Sequence, residues 1–387
     1  MSYKAIRLHI VLFLIIISNI INMMFPKSMG FEIQTGIEYQ ISKYTYGLCI
    51  VLMLPSLFTN KKFYFNKMNG MAWLIMVYIF VGFALSMEFE IGNYLKTLMI
   101  CLSFVFFEDV LKSDKINRYM LYCYILSVFL NVVYLIFLQN RLDTAIENEG
   151  HVRGGQGIAN SIIYLLPIIF YKLNGKVSSL LFILGAIAIF VSMRRSAILA
   201  LLICVPFVYS YLKQNVSKYT ALFLFVILVI GGYYIYNHYY YILVDRFTDM
   251  FEASDSGYYG SSRTGWWKAL ITFFIDNPLH WLQGFGLGKV TQYMSESGFP
   301  FETAHNDYIE IGFTYGMIGL VLWFGTILSI YRLSKMHYNN FDSSLLKMCV
   351  LSYLFIAIVS GASYQPHFMS VALFANLVLH KLPQKKF

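Results

Sequence analysis

Charge is what this sequence has least of. Only 13% of its 387 residues are Asp, Glu, Lys or Arg, about half the ~25% usual in a soluble domain. So few ionic groups cannot cover a water-facing surface, which excludes an ordinary soluble enzyme. Pairable cysteines are lacking too. Cys49, Cys101, Cys123, Cys204 and Cys349 all fall inside apolar runs, with no metal-ligand spacing and no partner in a loop. They read as small core residues, so neither disulfides nor zinc are expected. No repeat of roughly 20 to 50 residues is present and no matching halves stand out, unlike many transporters. No small-x-small cleavage site follows the first apolar run, although Lys4 and Arg7 precede it. That run is expected to stay as a first helix.

What is there instead is hydrocarbon. The chain is 58% hydrophobic with a mean hydropathy of +0.61. Its apolar runs are close to the ~20 residues a helix needs to cross a bilayer core. Twelve spans are expected, at 8–25, 44–58, 70–87, 93–107, 119–138, 157–171, 177–192, 196–212, 219–236, 306–331, 348–362 and 367–381. The fold class is an all-α polytopic membrane protein with about 12 transmembrane helices and one large helical loop. It divides into 1–236 (helices 1–9), 237–304 (the loop, with short amphipathic helices) and 305–387 (helices 10–12).

The net charge of +9 suggests nucleic acid until it is sorted by side. Alternating the loops across the membrane puts 18 basic residues and four acids on the side of the N-terminus. The opposite side takes 11 basic residues and 16 acids, a balance of −5. Lys and Arg in short loops mark the cytoplasmic side. Both termini are expected inside and the long loop outside, with no nucleic-acid partner.

The loop from 237 to 304 is too long to be a mere connector. Tyr239 to Phe251 could lie on the membrane as a short helix. A second helix is expected from Arg263 to Ile275, capped by Ser261 or Ser262 and stopped by Asn277-Pro278. Its apolar side would carry Trp266, Trp267, Leu270, Ile271 and Phe274. Gly284-Phe285-Gly286-Leu287-Gly288 follows. No strand precedes it and the spacing is wrong for a dinucleotide fingerprint, so a tight turn is expected.

Four features break the background. Arg194 and Arg195 lie in a very short outer connection, against the charge bias. Guanidiniums there either face an anion or a water-filled cavity, or snorkel to headgroups. Arg263 opens a helix whose N-terminus adds positive potential, an arrangement suited to phosphate, or it is an ordinary solvated residue. Arg153 lies in a Gly-rich turn, Arg153-Gly154-Gly155-Gln156-Gly157, followed by Asn160; it could wrap a phosphate or be a plain loop. His305 stands at the start of a span in Thr303-Ala304-His305-Asn306-Asp307-Tyr308, either as a proton acceptor or as a structural residue. Asp307 and Glu310 either orient it or fill the first helical turn, where acids are favoured. Asp143, Glu147 and Glu149 crowd another loop and read as a solvated face.

The ordered set of these features resembles a known family. Arg153-x-x-x-Gly157-x-x-Asn160 and Arg195-Ser196-Ala197 come first. Arg263-x-x-Trp266, Asn277-Pro278…Gly284-x-Gly286-x-Gly288 and Ala304-His305-Asn306-x-Tyr308-x-Glu310-x-Gly312-x-x-x-Gly316-x-x-Gly319 follow. Together they look like the O-antigen ligase and O-antigen polymerase superfamily of bacterial membrane glycosyltransferases, over roughly residues 150–320.

The resemblance implies a multi-pass protein of the bacterial inner membrane, in lipopolysaccharide biosynthesis, with its site facing the periplasm. The donor it implies is an undecaprenyl-pyrophosphate-linked oligosaccharide. Catalytic roles would fall to His305, Arg195 and Arg263. Substrate contacts would fall to Arg194, Arg153, Asn160, Asn306, Tyr308, Glu310 and Trp266. Neither a metal nor a cofactor is expected; a chain-length regulator protein and membrane lipids are the expected partners. The acidic sum of the outer face favours the polymerase, because a ligase must dock a heavily phosphorylated lipid A core. The ligase remains the alternative within the family, and a transporter of lipid-linked oligosaccharide the alternative outside it.

Overall fold

The computed structural model describes residues 2–24, 37–59, 91–111, 116–146, 159–215 except 193, 263–297 except 287, 304–336 except 305, 340–359 and 366–380. It also describes isolated positions between 70 and 79 and between 217 and 237. All regular structure among these is helical, with no strand. The helices are α1 (Tyr3–Met24), α2 (Ile37–Met53), α3 (Ser56–Thr59), α4 (Ile91–Leu111), α5 (Arg118–Ile146), α6 (Asn160–Lys172) and α7 (Gly175–Val191). They continue as α8 (Arg195–Asn215), α9 (Arg263–Asp276), α10 (Lys289–Glu296), α11 (Asp307–Met336), α12 (Asn340–Val359) and α13 (Met369–Leu379).

Five described helices are long and apolar enough to cross a membrane: Tyr3–Ile21, Arg118–Phe137, Ser196–Lys213, Asp307–Met336 and Phe341–Ile358. Shorter apolar helices occupy other expected spans, among them Asn160–Lys172, Gly175–Val191 and Met369–Leu379. The expected spans over 70–87 and 219–236, and the surface helix over 239–251, lie largely or wholly outside the described residues. Several such helices in one chain make it a multi-pass membrane protein.

α5 shows why such helices belong in lipid. Leu121, Tyr124, Ile125, Val128 and Val132 are buried in the bundle, while Leu126, Leu130, Tyr134 and Phe137 are exposed. A helix that is apolar on its exposed face as well as its buried face suits hydrocarbon rather than water. Cys123 falls on that exposed row and is the one cysteine outside the core, contrary to the expectation that all five are core residues.

Tight connections alternate the helices. Only Leu173 and Asn174 separate α6 from α7, and Asn174 Oδ1 accepts from Val177 N at 2.9 Å to cap the new helix. A three-residue link, 192–194, then joins α7 to α8. The start of α6, the end of α7 and the starts of α8 and α13 therefore share one end of the bundle.

The opposite end is closed by a buried charge cluster. Arg7 and Asp109 are each almost fully buried and 4.0 Å apart. Asp109 also takes Lys4 Nζ at 2.6 Å and the Ser56 hydroxyl at 3.0 Å. Arg7 donates to Leu52 O at 2.9 Å and to the Ser56 hydroxyl. Arg7 is thus a buried bolt between α1, α2, α3 and α4. Asp109→Ala should destabilise the protein by about 3–5 kcal/mol, because a buried guanidinium loses its counter-charge. Replacing both partners, Arg7→Met with Asp109→Leu, should recover most of that loss. Thermal unfolding in detergent reads the difference.

Candidate functional site

At the other end, the helix that reads as one apolar run over 306–331 is not one rod. Residues 308 and 324 would be about 24 Å apart on a straight helix, yet the rings of Tyr308 and Phe324 stack at 4.3 Å. Gly316 is the turning point, with φ 65° and ψ −168° inside α11. A Cβ on Gly312 would lie 3.0 Å from Leu320 Cδ1, and one on Gly319 would strike Tyr315. The Asp307–Tyr315 arm therefore doubles back along the start of the 317–336 arm. The glycines at 312 and 319 are small because the two arms touch there.

Such a break leaves backbone groups without their helical partners. The turn after α9 supplies them. Met317 N donates to Trp281 O at 2.8 Å and Ile318 N to Leu282 O at 3.2 Å. In return, Phe285 N donates to Phe313 O at 2.8 Å and Gly286 N to Thr314 O at 3.0 Å. Four backbone groups beside the kink are satisfied in this way, as apolar surroundings demand. The expected tight Gly turn is present, with φ of 76°, 97° and 77° at Gly284, Gly286 and Gly288. It is a plug in the broken helix rather than a free outward turn.

α9 and α10 pack over this plug in a second small core of Trp266, Leu270, Val290, Met294, Ala304 and Phe313. Pro278 ends α9, as expected. The carbonyls of its last turn are taken by Asn277 Nδ2, 2.8 Å from Phe273 O, and by Trp281 Nε1, 2.8 Å from Phe274 O. Phe285 then stacks on Phe313 at 4.6 Å and on His280 at 4.4 Å. Trp266 is buried in this core.

The segment around residue 305 is held on both sides. Glu310 Oε2 accepts from Ala304 N at 2.7 Å, and Trp267 Nε1 donates to Ala304 O at 2.8 Å. On the far side Asn306 Oδ1 accepts from Tyr308 N at 2.9 Å and Ile309 N at 3.2 Å, capping the short arm. Asn306 and Glu310 thus act on the backbone beside His305, which itself lies outside the described residues. Asp307 is fully buried and accepts from Tyr353 OH at 3.0 Å. Tyr353 OH in turn accepts from Trp323 Nε1.

On the bundle side, Arg194 Nε donates to Ser196 Oγ at 3.3 Å, and Ser196 Oγ to Asn160 Oδ1 at 3.5 Å. Two motifs far apart in sequence, Asn160 and the arginine turn, are therefore joined directly. Arg195 and Arg263 are the first residues of α8 and α9; their side chains, and all of Arg153, lie outside the described residues.

One aromatic layer links the two halves. Phe368, in the Pro366–Phe368 turn before α13, meets Tyr164 edge-on at 5.2 Å and Tyr353 at 4.8 Å. Tyr164 is one turn along α6 from Asn160, and Tyr353 holds Asp307. The arginine turn and the 304–307 segment thus flank a common cluster at one end of the bundle. Tyr353, Trp323, Trp267 and Phe368 were not expected as site residues. Their one sequence signal, aromatic rings in or near apolar runs, is equally that of an interfacial belt.

Comparison with known proteins adds one match. Residues 180–324 fit the family model described as O-antigen ligase. The matched region runs from α7 through the hairpin of α11, and so holds every part of the site just described except Asn160, Tyr164, Tyr353 and Phe368. No curated protein matches the chain.

Proposed function

We propose, from the chain's membership of the O-antigen ligase and polymerase superfamily, that it is a polymerase. In this reading it joins polyprenyl-pyrophosphate-linked oligosaccharide repeat units into a polysaccharide on the periplasmic face. An acceptor hydroxyl attacks the anomeric carbon of the donor glycan. The new C–O bond forms as the bond to pyrophosphate breaks, and the electron pair leaves on the phosphate oxygen. His305 takes the hydroxyl proton; an imidazole of ordinary pKa ~6.5 suits that task near neutral pH. Arg195 and Arg263 hold the growing pyrophosphate charge, because planar guanidinium forks bind phosphate without a metal.

The observation that carries this reading is the double clamp on Ala304 together with the Asn306 cap. The Asn306 cap is what a helix start needs, but the two further hydrogen bonds that fix Ala304 are not. They suit a residue whose position matters. The Arg194–Ser196–Asn160 chain supports a second prepared cluster at the same end of the bundle.

The ligase reading is favoured by a different observation, the description of the matching family model. It moves a finished glycan onto lipid A core by the same displacement. The acidic balance of the outer face argues for the polymerase. Cell-surface polysaccharide from a deletion strain of a lipopolysaccharide-making host separates the two. Loss of a polymerase should leave single repeat units on the core. Bare core, with polymer stranded on its lipid carrier, would replace the polymerase reading with the ligase.

A further inference from the structure

α9 has three faces where an ordinary amphipathic helix has two. Trp266, Leu270, Phe273 and Phe274 pack into the small core. Lys268, Thr272 and Asp276 form an exposed polar row at four-residue spacing. Between these faces lie Ile271 and Ile275, 44% and 56% exposed, and the Pro278–His280 turn beyond the helix end adds Leu279 at 88%. The turn that follows adds Trp281 at 44% and Leu282 at 66%. Five large apolar side chains on one edge form a patch of the kind that marks an interaction surface.

Its surroundings identify the partner. The carbonyls of Trp281 and Leu282 are hydrogen-bonded to the first two residues of the 317–336 arm. That arm exposes Met317, Ile318 and Val321, so the patch continues directly into a lipid-facing side of a span. At 20 residues the arm measures about 30 Å, the thickness of the hydrocarbon core. Its start, and the turn bolted to it, therefore cannot stand clear of the bilayer. Trp281 is also prepared for that medium. Its indole N–H is already given to Phe274 O at 2.8 Å, so no polar group of the ring needs water.

We propose that the Ile271–Ile275–Leu279–Trp281–Leu282 edge is sunk into the acyl chains of the leaflet on the site side. The bilayer itself is its partner. The Gly turn that plugs the broken helix lies between this edge and the hairpin, so lipid contact steadies the segment next to the site. The inference stands on exposure and placement, whichever reaction the site performs.

The test uses the full chain in vesicles whose lipids carry bromine on the acyl chains, compared with unbrominated vesicles. The emission that Trp281→Phe removes in plain vesicles isolates Trp281 from the other four tryptophans. In brominated vesicles that contribution should be largely quenched already. A second reporter is a polarity-sensitive dye on Leu279→Cys in a Cys123→Ser background, which should show blue-shifted emission on reconstitution. A Trp281 contribution that survives bromine but is lost to water-soluble acrylamide would overturn the proposal. So would an unshifted dye at Leu279→Cys.

Discussion

His305→Ala is expected to lower product formation by about 10²- to 10⁴-fold, the usual cost of removing a positioned proton acceptor. The protein should still accumulate in the membrane and still bind its lipid-linked donor. The backbone clamps that support this prediction come from Glu310, Trp267 and Asn306, and none needs the imidazole. The segment should therefore keep its course when the side chain is cut back. For a processive product the effect would read as loss of the long polymer ladder. Near-normal chain length in the His305→Ala strain would make His305 a structural residue and remove the base from the account.

Gly316→Ala and Gly284→Ala are expected to abolish activity by a different route. Both glycines have positive φ, 65° and 76°, and such sparsely populated backbone costs an L-residue about 1–3 kcal/mol. A Cβ at Gly316 would also strike the Leu282 carbonyl, and one at Gly284 the Thr314 carbonyl. Those are the backbone groups that stitch the plug into the broken helix. Separating them would forfeit four hydrogen bonds, each worth about 1 kcal/mol net, and release the 304–307 segment. Gly265→Ala is the control. It lies in α9, and nothing stands within 4 Å of its Cβ position. Alanine there should be tolerated or slightly stabilising, since it favours a helix interior by about 1 kcal/mol. Limited proteolysis alongside an activity assay checks both. A Gly316→Ala chain with full activity and an intact protease pattern would contradict the hairpin's role.

Much of this was legible in the sequence. The helix from Arg263 was bounded within one residue because Asn277-Pro278 stops a helix wherever it occurs. The Gly284–Gly288 turn was legible because alternate glycines have little other use. The motif order grouped Asn160 with the arginine turn, and the two are neighbours through Ser196. The hairpin was not legible. Hydropathy reads 306–331 as continuous, and a glycine inside an apolar helix is common enough in membranes to pass unnoticed. Only tertiary contacts such as Tyr308 on Phe324 disclose the reversal. The buried role of Arg7 was hidden for a related reason. A basic residue before an apolar run is counted as a topological signal, and its partner Asp109 lies about 100 positions away. Tyr353 and Trp323 were hidden among many aromatics of the same runs, since nothing local distinguishes a ring that holds Asp307 from one that meets lipid.

The proposed polymerase must by itself join one polyprenyl-pyrophosphate-linked repeat unit to another. The most direct measurement supplies the purified protein in vesicles with polyprenyl-pyrophosphate-linked repeat units, in the presence of a metal chelator. The expected result is a ladder of longer oligosaccharides on the lipid carrier, with one free polyprenyl pyrophosphate released for each linkage formed. An unchanged pool of lipid-linked units, or a ladder that appears only when a divalent cation is restored, would contradict it.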